Sequence, residues 1–433
     1  MASPVVDDVK VERIYDITVF GASGFTGQFV VEELARVVDE ENDLKWAVAG
    51  RSSEKLRAIL VQAQEITGKT LENEIDIVVA NVNDEDSLKT MCQKSKVILN
   101  CVGPYRFFGE QLVRACVENG CHHIDISGEP QFLEGIQFNY GSKAENAGVY
   151  VIGSCGFDSI PADMGVCQIR EQFPGIVNTI ESFLTASSSG SGTVGHYGTW
   201  QSAIHGFANS KELIGLRKQF QHKPMPRYQP RLTKRSSVFY HDKSSKWAIP
   251  FPGSDVSVVR RTQRFMHEKE SMRPIQYGAY VTVTSLFSLF MLIFGGLIFS
   301  ILARYKFGRN LLEKYPRVFS FGAFSHDGPS RQQMAKSSFT FTFYTEGFSS
   351  KQVEEKGKHD LKMVTKVSGP EPGYVATPIA MLQSAFVLLS EADKIPGSGG
   401  VFTPGAAFAK TSLIKRLMEH NFKFTTVTEA KQI

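Results

Sequence analysis

Short apolar runs alternate with helical periodicity through the first third of the chain. Residues 17–20, 46–49, 75–79, 97–101, 123–126 and 149–152 read as six strands. Five helical patterns separate them: one after Gly27 with Val30, Val31, Leu34 and Val37 on its apolar face, then 52–66, 84–94, 110–119 and 130–146. Strands alternating with helices in this way predict a Rossmann-type α/β fold, a doubly wound parallel sheet. From about residue 161 the pattern changes. Residues 179–186, 339–344 (FTFTFY) and 361–367 alternate β-branched or aromatic positions with polar ones and read as strands of a second, mixed α+β domain. Residues 187–195 form a Ser/Gly loop, and His196, Tyr197, Thr199 and Trp200 open a helix. Beyond 369 come an apolar helix over 377–389 with Thr377 as its cap and Pro378 in its first turn, a Gly/Pro turn at 396–400, an amphipathic helix over 411–420 and a terminal strand. This last segment is too apolar to stand alone and is expected to return to the first domain. The division is therefore 1–160, 161–368 and 369–433.

The first strand runs into Gly21, Ala22, Ser23, Gly24, Phe25, Thr26 and Gly27. A strand that turns tightly into a helix leaves the first helical N–H groups unpaired and aimed at one spot, which suits a pyrophosphate. The spacing is G-x-x-G-x-x-G, a variant of the dinucleotide fingerprint, and the repeating sheet pattern around it strengthens the reading. At the end of the second strand, where NAD-binding chains carry an acidic residue for the ribose, stand Gly50, Arg51, Ser52 and Ser53. A guanidinium forks onto a phosphate and accepts nothing from a hydroxyl, so NADP (NADPH) is the expected cofactor. Val102, Gly103 and Pro104, past the fourth strand, are expected to wall the nicotinamide. Ser127 and Asp158, past the fifth and sixth strands, are expected to cap the helices that follow.

None of the thirteen tyrosines has a lysine four residues later. The Tyr-x-x-x-Lys pair of short-chain dehydrogenases is thus absent, and the candidates for a proton donor are Tyr105, Asp158 and His196. The net charge of +4 is too small to imply nucleic-acid binding. Six cysteines, at 92, 101, 116, 121, 155 and 167, show no C-x-x-C pair, so no metal is expected and the thiols read as reduced and cytosol-facing. The acidic opening MASPVVDDVKVER lacks the marks of a secretory signal or a transit peptide.

Two stretches point to a surface partner. Arg217, Lys218, Lys223, Arg227, Arg231, Lys234 and Arg235 stand without an acid among prolines, and Arg260, Arg261 and Arg264 extend the charge, giving a basic loop over 214–264. Residues 275–303 carry no charge, and the run from Ser285 to Leu302 (SLFSLFMLIFGGLIFSIL) is long enough to cross a bilayer. A single crossing would separate the domains. The reading is therefore a membrane- or lipid-droplet-associating helix, or a hairpin bent at Gly295-Gly296, with a buried helix or a homodimer interface as the alternative.

The segments GASGFTG, AGRS, NCVGPY, DISGE, GFDSIPAD, GSDVSVVRRTQR, GYVATPIAM and GGVFTPGAAF, in this order, resemble the saccharopine dehydrogenase-like oxidoreductases of animals nearly end to end. The resemblance implies an NADP-binding Rossmann domain and association with lipid droplets and other membranes, mitochondria included. It also places Asn81 where related domains carry an aspartate against the adenine. A more distant likeness is to bacterial trans-acting enoyl reductases of glycolipid synthesis. The function expected is NADP-dependent reduction of a lipid-like, apolar small molecule. A non-catalytic lipid-surface protein that keeps the dinucleotide fold and a true saccharopine dehydrogenase of lysine metabolism are the alternatives.

Overall fold

The computed structural model describes residues 13–41, 43–188 and 194–432. The first twelve residues and the core of the Ser/Gly loop, 189–193, lie outside the described residues. Six parallel strands, β1 (Tyr15–Phe20), β2 (Trp46–Gly50), β3 (Asp76–Val79), β4 (Ser95–Asn100), β5 (His122–Asp125) and β6 (Tyr150–Ile152), form one sheet in the order 3-2-1-4-5-6. Gly400–Phe402 adds a seventh strand, parallel to β6. The winding direction reverses between β1 and β4, so a crevice opens beyond their carboxyl ends, where Phe20 pairs with Ala49 on one side and Asn100 on the other.

The connecting helices are α1 (Phe25–Val37), α2 (Ser53–Thr67), α3 (Glu85–Lys94), α4 (Tyr105–Glu118) and α5 (Pro130–Asn146). Ser52 caps α2 and Asp84 caps α3 through their side chains. Helix α4 starts five residues earlier than the 110–119 pattern implies. The carboxylate of Glu129 accepts the backbone N–H groups of Tyr105 at 2.9 Å and Arg106 at 3.3 Å, supplying a cap from a distant loop.

Helix α6 (Ile160–Gln172) leads into the second sheet. Its central strand, β7 (Ile176–Ser188), pairs antiparallel with Ser337–Phe348 and parallel with Gln276–Val283. Leu361–Gly369 and Lys423–Gln432 extend one edge, Lys246–Pro250 and Phe239–His241 the other. The FTFTFY alternation puts Phe339, Phe341 and Phe343 in the core. There α6 comes so near that a Cβ on Gly165 would stand 2.7 Å from the Phe343 ring. The helix Thr377–Ser390 is buried along its length, packed on β4, β5 and α1. Thr377 is not its cap: a preceding turn, Pro372–Ala376, is held by the Glu371 carboxylate, and the Thr377 hydroxyl donates to the Pro372 carbonyl instead.

Helices α7 (Tyr197–Ala208), α8 (Ser210–Gln219), α9 (Asp255–Glu270), α10 (Leu286–Arg304) and α11 (Lys306–Lys314) lie outside the second sheet. The basic stretch is not one loop. Arg217 lies on α8 and forks onto Glu134 at 2.8 and 2.6 Å, and Arg235 forks onto Glu181 at 2.9 and 2.8 Å. Arg260, Arg261 and Arg264 belong to α9, where Arg261 turns inward to Gln137. Arg260 and Arg264, one turn apart, share a face of α9, whereas Arg261 lies to the side and is engaged by Gln137.

The two long apolar helices have opposite fates. Within the described residues, the span Pro372–Ser390 is 78% buried, whereas Leu286–Arg304 is 11% buried despite its higher mean hydropathy of 2.5. Helix α10 is continuous through Gly295-Gly296, so the chain does not bend there; it turns back at Tyr305 into α11. Leu289 is buried near its start, and its C-terminal part is covered where Phe299 meets Trp200 and Phe207 edge-on. Phe287, Phe290, Ile293, Phe294 and Leu297 face outward.

Candidate cofactor cleft

The glycine loop is shaped by three separate close approaches. Gly21 has φ +86°, and a Cβ there would stand 2.7 Å from a Val102 methyl. A Cβ on Gly24 or Gly27 would stand 3.0 or 2.1 Å from the Gly21 carbonyl oxygen. Helix α1 can therefore begin directly over the end of β1. Gly24 occupies its N-cap position, no side chain caps it, and no acid lies in its first turn. The N–H groups of Phe25, Thr26 and Gly27 are left for a ligand, with exposed Ser23 beside them. These residues fit a pyrophosphate: the cradle is one that any side chain would fill.

Arg51, at the end of β2, is exposed and makes no ion pair among the described residues. Ser52 lies next to it, and its hydroxyl accepts the Lys55 N–H as the cap of α2. Asn81 follows β3 and turns its side-chain oxygen onto the Asn83 N–H. Val102, Gly103 and Pro104 follow β4; Val102 faces Gly21, Gly103 is exposed and Pro104 is buried as the N-cap of α4. The structure thus brings the glycine loop together with Val102 and Gly103 at the switch point.

The proton-donor candidates separate clearly. The Tyr105 hydroxyl is buried and donates to the Asn100 carbonyl at 2.7 Å, and burial pushes it well above the usual phenol range. It braces β4. His196 is the N-cap of α7; its Nδ1 accepts the Gly198 N–H at 3.1 Å, and burial lowers its pKa, so the ring is neutral. The imidazole joins Phe25, Phe29 and Tyr374 in one aromatic cluster against the start of α1. Asp158 is half-buried, its carboxyl makes no hydrogen bond among the described residues, and burial raises its pKa. It does not cap α6, whose N-cap is Ser159; the carboxyl instead faces Gly128, where a Cβ would stand 2.6 Å away. Nor does Ser127 cap α5: its hydroxyl accepts the N–H of Glu129, the residue in the cap position.

Polar residues at the ends of β5 and β6, and two that the sequence did not single out, Asp255 and Tyr374, surround these candidates. Asp125 accepts the Ser127 and Ser154 N–H groups at 2.9 and 3.1 Å, tying the ends of β5 and β6 together; burial brings its pKa to about 7. Ser154 holds φ +63° there. Glu129 also accepts the Ser202 hydroxyl, linking α7 to α4. Both carboxyl oxygens of Asp255 are buried without a partner among the described residues, and burial, with Asp158 and Asp163 nearby, raises its pKa. Tyr374 accepts the His196 N–H at 2.7 Å. The signal for Asp125 and Glu129 was their place at a strand end; Asp255 and Tyr374 are 97 and more residues beyond Asp158 and offered none.

Residues 17–152 match the family model for the NADP-binding domain of saccharopine dehydrogenase. The Saccharopine dehydrogenase-like oxidoreductase of Homo sapiens is 50% identical over 424 residues, covering 97% of this chain and 99% of its own length. The chain belongs to the saccharopine dehydrogenase-like oxidoreductases. Another relative, from Caenorhabditis elegans, carries the name Lipid droplet localized protein and is 37% identical over 96% of this chain and 99% of its own. Among solved structures, apo saccharopine dehydrogenase (L-Glu forming) of Saccharomyces cerevisiae superposes with a TM-score of 0.53 at 12% identity, covering 95% of this chain and 99% of that one. That likeness is one of fold. In this saccharopine dehydrogenase-like oxidoreductase the loop from Gly21 to Gly27 lies within the NADP-binding domain.

Proposed function

We propose that this oxidoreductase uses NADPH to reduce a lipid-like substrate at a lipid-droplet or membrane surface. The observation that carries the reading is α10: nineteen residues, charged only at its last position, with 11% of its apolar span buried. At 1.5 Å per residue it is roughly 28 Å long, close to the thickness of a hydrocarbon core. In water such a face is a liability; against lipid it is an anchor, and exposed Arg304 and Lys306 at its end suit the headgroups there. The worm relative's name points the same way.

When bound, NADPH supplies the hydride. The chain's own residues position and protonate. The uncapped start of α1 holds the diphosphate, Arg51 pairs with the 2′-phosphate, and Val102 with Gly103 borders the reacting ring. Asp158 supplies the proton: a carboxyl raised by burial stays protonated further up the pH scale, and this one is half-open and bound to no other group.

Detergent-purified protein is assayed for NADPH oxidation against a neutral-lipid extract and against aminoadipate semialdehyde plus glutamate. Turnover on the extract, cut about a hundredfold or more in Asp158→Asn with NADPH affinity unchanged, is the expected result. Turnover on the amino-acid pair alone would overturn the lipid reading.

A further inference from the structure

The first domain gathers a second set of reactive groups away from the glycine loop. Cys92 lies near the end of α3, Cys116 on the inner side of α4, and Cys121 just before β5. All three are free thiols and buried, and their sulfurs lie within 4.8 Å of one another. Those of Cys92 and Cys116 are 3.7 Å apart. Three sulfurs bound at about 2.3 Å to one tetrahedral ion stand about 3.8 Å from each other. The trio needs only small side-chain adjustments to reach that spacing.

A cation stands beside the three sulfurs. Arg13 donates to the carbonyls of Cys92, Ser95, Asn119 and Gly120, which fixes its guanidinium beside the cluster. The carbonyl oxygens of Lys96 and His122, each 3.5 Å from the Cys121 sulfur, offer an oxygen donor on a further side.

We propose that Cys92, Cys116 and Cys121 bind one thiophilic metal ion, a structural site separate from the cofactor cleft. Charge favours Zn²⁺. Three thiolates, one guanidinium and a divalent cation sum to zero, which a buried cluster requires. The ion would join α3, α4 and β5 at the amino ends of β4 and β5, while NADP is held at the carboxyl ends. The sequence hid it because the gaps between ligands are 23 and 4 residues, unlike any paired-cysteine spacing.

The full-length protein, purified under reducing conditions and stripped with a chelator, is titrated with Co²⁺ and then Zn²⁺. The expected result is a thiolate-to-cobalt charge-transfer band that saturates at one equivalent and is bleached by Zn²⁺. Cys121→Ser should weaken binding about a hundredfold or more while NADPH binding persists, and Arg13→Gln, which leaves every thiol in place, should weaken it roughly tenfold. No cobalt band in the wild type, or binding left unchanged in a Cys121→Ser protein that still binds NADPH, overturns the site. Should Cys121→Ser not fold, the wild-type titration and Arg13→Gln decide: saturation at one equivalent with a weaker Arg13→Gln supports the site, and no saturation overturns it.

Discussion

The imidazole of His196 lies flat on the ring of Phe25, with 4.4 Å between centroids and 5° between planes. Phe25 is the first residue of α1 in the phosphate loop, and His196 caps a helix of the second part of the chain. One stacked pair thus joins the cofactor loop to the region beyond it. Removing the ring in His196→Ala should weaken NADPH binding about two- to tenfold, the size of an aromatic contact. His196→Phe should restore most of that affinity and keep turnover. Fluorescence titration with steady-state rates checks both. Loss of turnover in His196→Phe with affinity intact would instead make the imidazole the proton donor.

Arg51 is exposed and unpaired among the described residues. Its replacement should therefore leave the fold alone and act on the ligand. Arg51→Ala should cost about tenfold or more in NADPH affinity, the range of a charge-assisted hydrogen bond, and leave NADH binding nearly unchanged. Isothermal titration with both nucleotides tests this. Equal losses for the two would place the guanidinium elsewhere than on the 2′-phosphate.

Asp125 gives a stability prediction with a definite sign. Its pKa rises from an ordinary aspartate value to about 7 in the folded protein because burial disfavours the charged form. The folded state then holds a proton that the unfolded chain has released. Stability from this group is full below about pH 4 and falls as pH rises towards 7. Asp125→Asn, whose amide oxygen still accepts the Ser127 and Ser154 N–H groups, should flatten that part of the stability profile. Denaturant midpoints measured from pH 4.5 to 8, values about the interval set by these two pKa figures, read it out. An unchanged slope would count against the assignment.

Helix α10 invites a direct test of surface attachment. Phe290 and Leu297 are 62% and 59% exposed and meet nothing that a charge would disturb inside the protein. The double variant Phe290→Glu, Leu297→Glu should keep its melting temperature. It should lose most of its binding to phospholipid-coated oil droplets, since a charge at the helix centre costs about 2.5–3.5 kcal/mol against lipid. Flotation assays compare the two proteins. Undiminished flotation would remove α10 as the anchor.

The six strands of the first sheet were legible because buried strands leave unbroken apolar runs, and glycines mark where β1 and β2 end. The glycine turn between β1 and α1 was legible for the same local reason: its geometry is set within seven residues. What escaped depends on partners far along the chain. The true start of α4 rests on Glu129, and the cap ascribed to Thr377 passed to Glu371 through a turn that periodicity does not register. Charge counting failed between 214 and 264 because it cannot see that Arg217 and Arg235 are already matched to Glu134 and Glu181. Apolarity alone also could not tell the buried helix Thr377–Ser390 from the bare α10.

The pairing of Gly400–Phe402 with β6 bears on how the protein is made. Synthesis runs from the amino end, so the edge of the nucleotide-binding sheet stays open until almost the whole chain has been translated. Helix α10 emerges about a hundred residues sooner, a separation read from the two ranges. The exposed apolar face of α10 therefore leaves the ribosome before the nucleotide-binding sheet can gain its last strand.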